Sequence, residues 1–512
     1  MSDIKKLPQP LINDEILISE ESELQSKELI IKAKERELQS WINREVYNEV
    51  DDTGQQKITT KWVMTKKEIE GKPGIKARLV ARGYEDEDND IVRSDSPTVS
   101  REGIRFTLAI ITTNSWDIKS MDISTAFLQG RPIKRTIYIK PPKEAKTKKI
   151  WHLRKCVYGL NDANREWYLR IKNELTDNGC TASSLDHGLF VWYHENELGG
   201  ILAVHVDDIL YGGSELFNQQ LINKVRDTFT IGAESQEAFK YLGVCMKQKD
   251  DHEIIIDQNP YSSTLTPITL PKERERMKKD ETNLEEKDEM KSKIGQLSWL
   301  AGITRPDISY RVCQMSTQIK SSTVNDILKL NKIIRDVKSY ESRIRIPKFK
   351  SMSYNLLVYA DASFCNLPDG RSQGGFIILL SDGTNVCPIS WRSLKIKRVV
   401  RSTIAAETLA LADACECAIF WQRVFNEALN TNSIQIYCYS DNKSLVESSK
   451  TTNRIQDTRL QLEMSAVREM IEKKEITLSW IEGDKQLGNC LTKFGASSKE
   501  LLEVLQEARI NM

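Results

Sequence analysis

Between residues 201 and 211 the chain reads ILAVHVDDILY, two apolar, β-prone runs around an adjacent pair of acids. That pattern predicts a hairpin with Asp207 and Asp208 at its turn. Two neighbouring carboxylates at the end of buried strands repel each other and are costly to desolvate. A divalent cation that prefers oxygen ligands removes that cost. An Asp-Asp turn chosen for turn propensity alone is the commoner explanation of such a pair, so a third acid is needed to decide. Asp122 supplies it, in SMDISTAFLQG, where a strand leads into a turn or short helix. Two-metal chemistry needs carboxylates from separate strands, converging on ions about 3.5–4 Å apart.

A chain of 512 residues is too long for one ordinary core, and its length predicts about three domains. With 74 basic and 73 acidic residues, net charge argues neither for nor against a nucleic-acid partner. The distribution says more. From Arg131 to Lys155 ten Lys/Arg stand against one acid, Glu144. A second basic stretch, Lys57 to Arg82, precedes the acids Glu85, Asp86, Glu87, Asp88 and Asp90. A solvated face explains such runs as well as a nucleic-acid groove does. Ten scattered cysteines, with no CxxC pair and no Cys/His cluster at zinc spacing, predict reduced thiols. MSDIKKLPQP does not read as a signal peptide, and no apolar run approaches the roughly 18 residues of a membrane span. The expectation is a soluble intracellular protein with no membrane partner.

Residues 1–20 read as loosely ordered, and 21–46 as a charged amphipathic helix with Ile31, Leu38, Trp41 and Ile42 at helical spacing. From Thr59 to about Val244 short β-rich runs alternate with helices, among them one near Gly103–Thr113 and one near Asp162–Asn178. Residues 270–345 are strongly charged and helical in pattern, and from Asn355 strands and helices alternate again. Domain boundaries are expected near 45, 247 and 352, giving segments 1–44, 45–246, 247–351 and 352–512.

The last segment carries a second constellation. LLVYADASF puts Asp361 at the end of a strand. RSTIAAETLALADA then starts a helix capped near Ser402, on which Glu407 shares a face with Ile404 and Leu411. IQIYCYSDN delivers Asp441 at the end of a central strand. One carboxylate each from a first strand, the first helix and the next central strand is the ribonuclease H arrangement. Each acid alone could be accidental; their order and spacing make accident a poor account. Asp52-Thr53-Gly54 has the tripeptide of aspartic proteases but lacks the apolar strands such a site requires.

KARLVARGYE, DISTAFLQG, VYGLNDANREWY, VDDILYGG, YLGV and TRPDISY occur in that order, and the set resembles the pol region of copia-type LTR retrotransposons (Pseudoviridae-like). The resemblance covers roughly residues 40–345. It implies a multidomain α+β and α/β chain: a right-hand polymerase of fingers, palm and thumb, followed by a ribonuclease H-like domain with a five-stranded mixed sheet. The implied activity is RNA-directed DNA polymerisation by two-metal nucleotidyl transfer, together with hybrid-specific ribonuclease activity. Asp122, Asp207 and Asp208 match the family's polymerase metal ligands. Phe127 matches its aromatic steric gate against a ribose 2′-hydroxyl, with a packing role as the alternative. Lys76, Arg78 and Arg82 look like fingers residues that meet the incoming triphosphate, or a solvated strand face. Tyr158 and Gly159 resemble the motif beneath the templating base pair, and Tyr241, Leu242, Gly243 and Val244 the primer grip.

The implied cofactor is Mg²⁺, or Mn²⁺ in its place. The implied partners are an RNA template, a DNA primer, dNTPs, an RNA–DNA hybrid and other element proteins such as gag and integrase. The implied compartments are the cytoplasm, virus-like particles or the nucleus. Three departures stand out. His205 replaces an aromatic residue before VDD, and the loop Asn161–Asn164 differs from the commoner Lys-Gln-Ser-Pro. In GDKQLGNCLTK, Asn489 falls where relatives of the form QLAD-x-LTK place a fourth metal-binding Asp, and Asp484 lies out of register. That change puts the ribonuclease in doubt and leaves a second reading open, a catalytically reduced remnant or a domesticated nucleic-acid-binding protein.

The gate assignment has a direct consequence. Phe127→Val should admit ribonucleotides in primer extension, with modest loss of dNTP use. Unchanged sugar discrimination would make Phe127 a packing residue.

Overall fold

The computed structural model describes residues 20–69, 72–451 and 457–510. The expected disorder of residues 1–20 therefore lies almost wholly outside the described residues. Two compact units are present, 1–96 with 125–171, and 97–124 with 172–512. Within the 45–246 segment read from the sequence, residues 97–124, with the strand bearing Asp122, belong to the second unit, and the chain rejoins the first at Thr125.

In the first unit the helix Glu20–Asn43 packs along the hairpin Thr60–Ile69/Lys72–Ala81. A three-stranded sheet orders Tyr47–Val50, Ile150–Leu153 and Tyr138–Ile139. Trp41 and Trp151 are fully buried there, and Tyr47 stacks on Trp151 at 4.0 Å. Helical spacing picked Trp41 correctly, whereas Ile31 and Ile42 are more than half exposed. Glu37 is buried among these groups, accepting from Trp41 Nε1 and the Leu79 amide, each at 3.2 Å. Burial pushes its carboxyl upward.

The second unit begins with the helix Arg101–Thr113, capped by Ser100, whose hydroxyl accepts from the Gly103 amide at 2.8 Å. It lies on an antiparallel six-stranded sheet of order Ile231–Gln236, Lys119–Ile123, Asp208–Gly213, Glu197–His205, Leu189–His194, Cys180–Ala182. Gly212 lets the helix approach, since a Cβ there would stand 2.6 Å from Ile111 Cγ1. A four-stranded antiparallel sheet follows, Ala238–Tyr241, Val244–Gln248, Ile254–Asp257 and Arg343–Ile346. Residues 270–345 are mainly helical, as their pattern predicts. Their helices Leu284–Ile303 and Val324–Ser339 each open on a capping box, Asn283 with Glu286 and Thr323 with Asp326.

A five-stranded mixed sheet completes the unit, in the order Val386–Lys395, Gln373–Ser381, Asn355–Ser363, Gln435–Ser440, Thr477–Trp480. Its first three strands are antiparallel, and the last two run parallel to Asn355–Ser363. The helix Thr403–Leu429 covers it, starting at the expected Ser402 cap.

No separate core marks residue 352. One hydrophobic cluster runs from Phe106 and Leu210 through Ile256 and Ile344 to Phe376 and Phe425. Phe106 stacks on Phe425 at 4.0 Å, and the Tyr193 hydroxyl donates to Ala428 O at 2.9 Å. Arg105 is buried in this seam. Its guanidinium donates to Ile389 O (2.7 Å), Ile303 O (2.9 Å) and Gly302 O (3.0 Å), and lies 3.8 Å from the Trp391 ring centroid. Two of those carbonyls belong to the end of the helix Leu284–Ile303, where a cation is favoured. Burial pulls Arg105 down to about 10.

Arg105→Met should remove about 3 kcal/mol or more of stability by leaving three buried carbonyls without their donor. Urea unfolding followed by tryptophan fluorescence measures it, and Arg105→Lys should fall between.

Candidate metal-binding active sites

The hairpin predicted from ILAVHVDDILY is present. Strand Glu197–His205 turns into Asp208–Gly213 with His205 opposite Asp208, so Val206 and Asp207 make a two-residue loop. Val206 sits at φ 58, a left-handed conformation costly for a β-branched residue, of order 1–3 kcal/mol. The turn is fastened by the Ile123 amide, which donates to Asp207 O at 2.9 Å.

On the other edge of Asp208–Gly213, the strand Lys119–Ile123 pairs in a register that sets Asp122 directly opposite Asp208. Like charges so placed are destabilising. Burial, then Asp207 and Asp122, pushes the Asp208 carboxyl up to about 6. Gly232, on the outer neighbouring strand, leaves room for Asp122: a Cβ there would lie 2.5 Å from Asp122 Oδ2. Half-buried acids brought together from two strands and the turn between them are a donor set that fits a divalent cation. His205 is partly buried beside them, and burial lowers its pKa.

Asp361, Glu407 and Asp441 converge more tightly. Their ligand atoms all lie within 4.8 Å of one another. Asp361, near the end of its strand, is fully buried, and burial raises its carboxyl. Glu407 is pushed up to about 9 by burial and then by Asp361 and Asp441. Its Oε2 is buried with no hydrogen-bond partner. An orphaned carboxylate oxygen facing two further acids fits a cation.

Around Asp361 the chain supplies its own donors. The Thr492 hydroxyl donates to Asp361 Oδ2, and Lys493 Nζ donates to Asp361 Oδ1 at 3.1 Å. Lys493 also donates to Asn489 Oδ1 at 2.5 Å, while Asn489 Nδ2 donates to Gly483 O at 2.6 Å. Asp484 is exposed and lies in another cavity, lined by Tyr359, Tyr439 and Trp480 among others. Sequence reasoning missed Lys493 and Thr492. Both lie in the LTK string it quoted, where attention went to position 489.

Of the residues assigned to nucleotide contact, the first unit gathers several. Tyr158 meets Phe127 edge-on at 5.1 Å, and the Arg78 guanidinium lies 5.6 Å from the Tyr158 ring centroid. Gly159, at φ 95, passes so close to Ala81 O that a Cβ would stand 2.0 Å from it. Arg78 Nε is buried with no hydrogen-bond partner. Arg82 lies 3.8 Å from Glu85, and Lys76 is partly buried on its strand.

The YLGV segment is a hairpin turn with Leu242 at φ 46 and Gly243 at φ 80. Tyr241 is buried, its hydroxyl donating to Ala203 O at 3.2 Å. Its side chain therefore supports the acidic hairpin from within, while the half-buried turn packs Leu242 on the core and Gly243 against Trp299. Part of the basic stretch 131–155 is also used internally. Arg135 pairs with Asp86 and Asp162 at 2.7 and 2.8 Å, and Arg131 with Glu166 at 2.9 Å. The Asp-Thr-Gly tripeptide is an exposed turn, with Asp52 accepting from Gly54 N at 3.1 Å and pairing with Lys57 at 2.5 Å. All ten cysteines are free, and no described helix is long and apolar enough to cross a membrane.

The family model described as reverse transcriptase (RNA-dependent DNA polymerase) matches residues 44–270. The retrovirus-related Pol polyprotein from transposon RE1 of Arabidopsis thaliana is 31% identical over 375 residues, 70% of this chain and 25% of that protein. The corresponding polyprotein from transposon TNT 1-94 of Nicotiana tabacum is 25% identical over 93% of this chain and 38% of its own length. The transposon Ty1-DR6 Gag-Pol polyprotein of Saccharomyces cerevisiae is 25% identical over 96% of this chain and 29% of its own length. Among solved structures, a foamy viral protease-reverse transcriptase in complex with RNA/DNA hybrid aligns with 87% of this chain and 52% of its own, at 12% identity and TM-score 0.48. The chain thus spans 25% to 38% of the plant polyproteins it matches. It belongs to the copia-type Pol family, and its residues 44–270 are that family's reverse transcriptase domain.

Proposed function

We propose that this chain copies RNA into DNA at Asp122, Asp207 and Asp208 and cleaves the RNA of the resulting hybrid at Asp361, Glu407 and Asp441. The observation that carries the first activity is the register placing Asp122 opposite Asp208 across two strands. The second rests on three acids within 4.8 Å of one another. Mg²⁺, or Mn²⁺ in its place, supplies Lewis acidity at each site, activating the attacking oxygen and stabilising the leaving one.

The chain's own groups do the rest. The three polymerase acids hold the cations, and Lys76, Arg78 and Arg82 neutralise the triphosphate of a dNTP. Phe127, backed by Tyr158, crowds the sugar. Leu242 and Gly243 present the primer backbone. On this reading residues 45–246 serve as fingers and palm, with the six-stranded sheet as palm, and the helices of 247–351 as thumb and connection. Residues 352–512 then serve as the ribonuclease H domain. Template RNA, DNA primer and RNA–DNA hybrid are the partners, with gag and integrase proteins of the same element beside them. A catalytically reduced remnant is not favoured, because the polymerase acids are all present.

Primer extension on poly(rA)·oligo(dT) with Mg²⁺ tests the polymerase. Asp207→Asn should lower it by about a hundredfold or more, since the acids hold the ions, while hybrid binding persists. Extension at the wild-type rate would remove Asp207 from the site.

Asn489 keeps a ligand oxygen but no charge, and its NH₂ group cannot bind a cation. Hybrid cleavage should therefore be weak in the wild type, stronger in Asn489→Asp and absent in Asp441→Asn across a Mg²⁺ titration. A flat response to Asn489→Asp at every metal concentration would show that position 489 takes no part.

A further inference from the structure

One cavity of the five-stranded domain serves neither of the activities just given. It measures about 500 Å³ and contains Asp484, the acid that lies out of register for the metal site. A volume of that order suits a small molecule.

The aromatic lining comes from the last three strands of the sheet. Their register sets Tyr359 beside Tyr439, and the two rings stack at 5.0 Å. Trp480, one strand further on, is 40% exposed, and with Leu487 it extends the apolar surface. Tyr359 is only 5% exposed, yet its hydroxyl makes no hydrogen bond among the described residues. Burial holds that hydroxyl above the usual tyrosine range, so it stays a neutral donor and acceptor. A buried polar group without a partner is costly, and a ligand in the cavity would supply one.

The walls are acidic. One carries Glu482 and Asp484; the helix Lys499–Glu507 forms another with Glu500, Glu503 and Glu507. Their i, i+3, i+7 spacing puts these three on one helix face, where like charges repel. Leu501 and Leu505 are buried and hold the helix to the core. Two cations, Lys485 and Arg509, complete the charged lining. Lys485 reaches Glu482 at 4.0 Å, and Glu503 pairs with Lys499 at 3.6 Å. Asp484, Glu500 and Glu507 make no ion pair among the described residues.

This combination selects a class of ligand. Five carboxylates repel a phosphate or a nucleic-acid strand. A bare, strongly hydrated Mg²⁺ gains nothing from an aromatic surface. An ammonium on a hydrocarbon stem uses both features, its methylenes covering the rings and its charge meeting the acids and the ring faces. The Trp480 ring already receives one such cation, Lys443, whose Nζ stands 4.4 Å from the centroid. Acids on two separate walls call for more than one charge along the stem.

We propose that this cavity binds a linear aliphatic polyamine. Its methylene stem lies on Tyr359, Tyr439 and Trp480, its ammonium groups pair with the acids of the two walls, and the Tyr359 hydroxyl accepts from one of them. The assignment does not depend on whether Asp361, Glu407 and Asp441 cleave RNA.

The test is isothermal titration calorimetry of spermidine into the full chain, with Mg²⁺ in excess so that the two carboxylate clusters described above are occupied. One spermidine per chain is expected. Tyr359→Phe removes the acceptor alone and should weaken binding about tenfold. Glu500→Gln with Glu507→Gln should weaken it about tenfold or more and flatten its salt dependence. Asp288→Asn with Glu289→Gln, exposed acids of the helix Leu284–Ile303, should leave affinity unchanged within about twofold, as expected of surface charges outside the site.

Unchanged affinity in both Tyr359→Phe and the Glu500, Glu507 double variant, each shown folded by circular dichroism, would overturn the proposal. So would an equal loss in the Asp288, Glu289 control, which would mark diffuse charge attraction rather than a site. So would an arginine-rich peptide that binds through Glu500 and Glu507 to a chain that takes up no spermidine.

Discussion

Acids forced together where they cannot easily ionise are the constraint around which this chain is organised. At the hairpin, two strands are locked in register so that Asp122 and Asp208 oppose each other, and the neighbouring strand carries Gly232 where a side chain would strike Asp122. In the five-stranded domain, a strand, a helix and a second strand deliver Asp361, Glu407 and Asp441 to one place. Each arrangement lowers stability through desolvation and like-charge repulsion. Neither would persist unless the surrounding packing over-determined it, and in both cases the acids sit where large apolar strands end.

That packing is continuous. The seam between the six-stranded and five-stranded sheets is filled by Phe106, Phe425 and Trp391, and its one buried cation, Arg105, is satisfied entirely by backbone carbonyls and a ring face. Carbonyls at a helix end hold a partial negative charge that suits a guanidinium without burying a carboxylate beside it. The second unit thus carries both acidic clusters on one continuous hydrophobic core.

Much of this was legible in the sequence, and the reason is local. Period-two alternation and an acid pair specify a hairpin, Ser402 specifies a helix start, and the acids fall at element ends in a fixed order. Asp122, Asp207, Asp208, Asp361, Glu407 and Asp441 could each be placed on its element before any coordinates. What could not be read was pairing at a distance. Nothing local says that residues 125–171 rejoin 1–96, that Arg135 is spent on Asp86 and Asp162, or that the Tyr241 side chain points into the core. Charge counting along a chain cannot see the acids brought to the basic stretch across space, so it left a groove and a solvated face equally open. Lys493 was hidden for a related reason: a lysine four residues after an expected ligand reads as a solvated end until Asp361 is placed beside it.

The two acidic sites answer the same electrostatic problem differently. At the hairpin the Asp208 carboxyl is held up to about 6 by burial and by Asp207 and Asp122, a repulsion that a divalent cation would relieve. In the five-stranded domain, part of the answer is covalently attached. Lys493 donates to Asp361 and to Asn489, so a positive charge stands beside the buried carboxylate. Without Lys493, Asp361 would be buried with hydroxyl donation alone, a costlier state than the one observed.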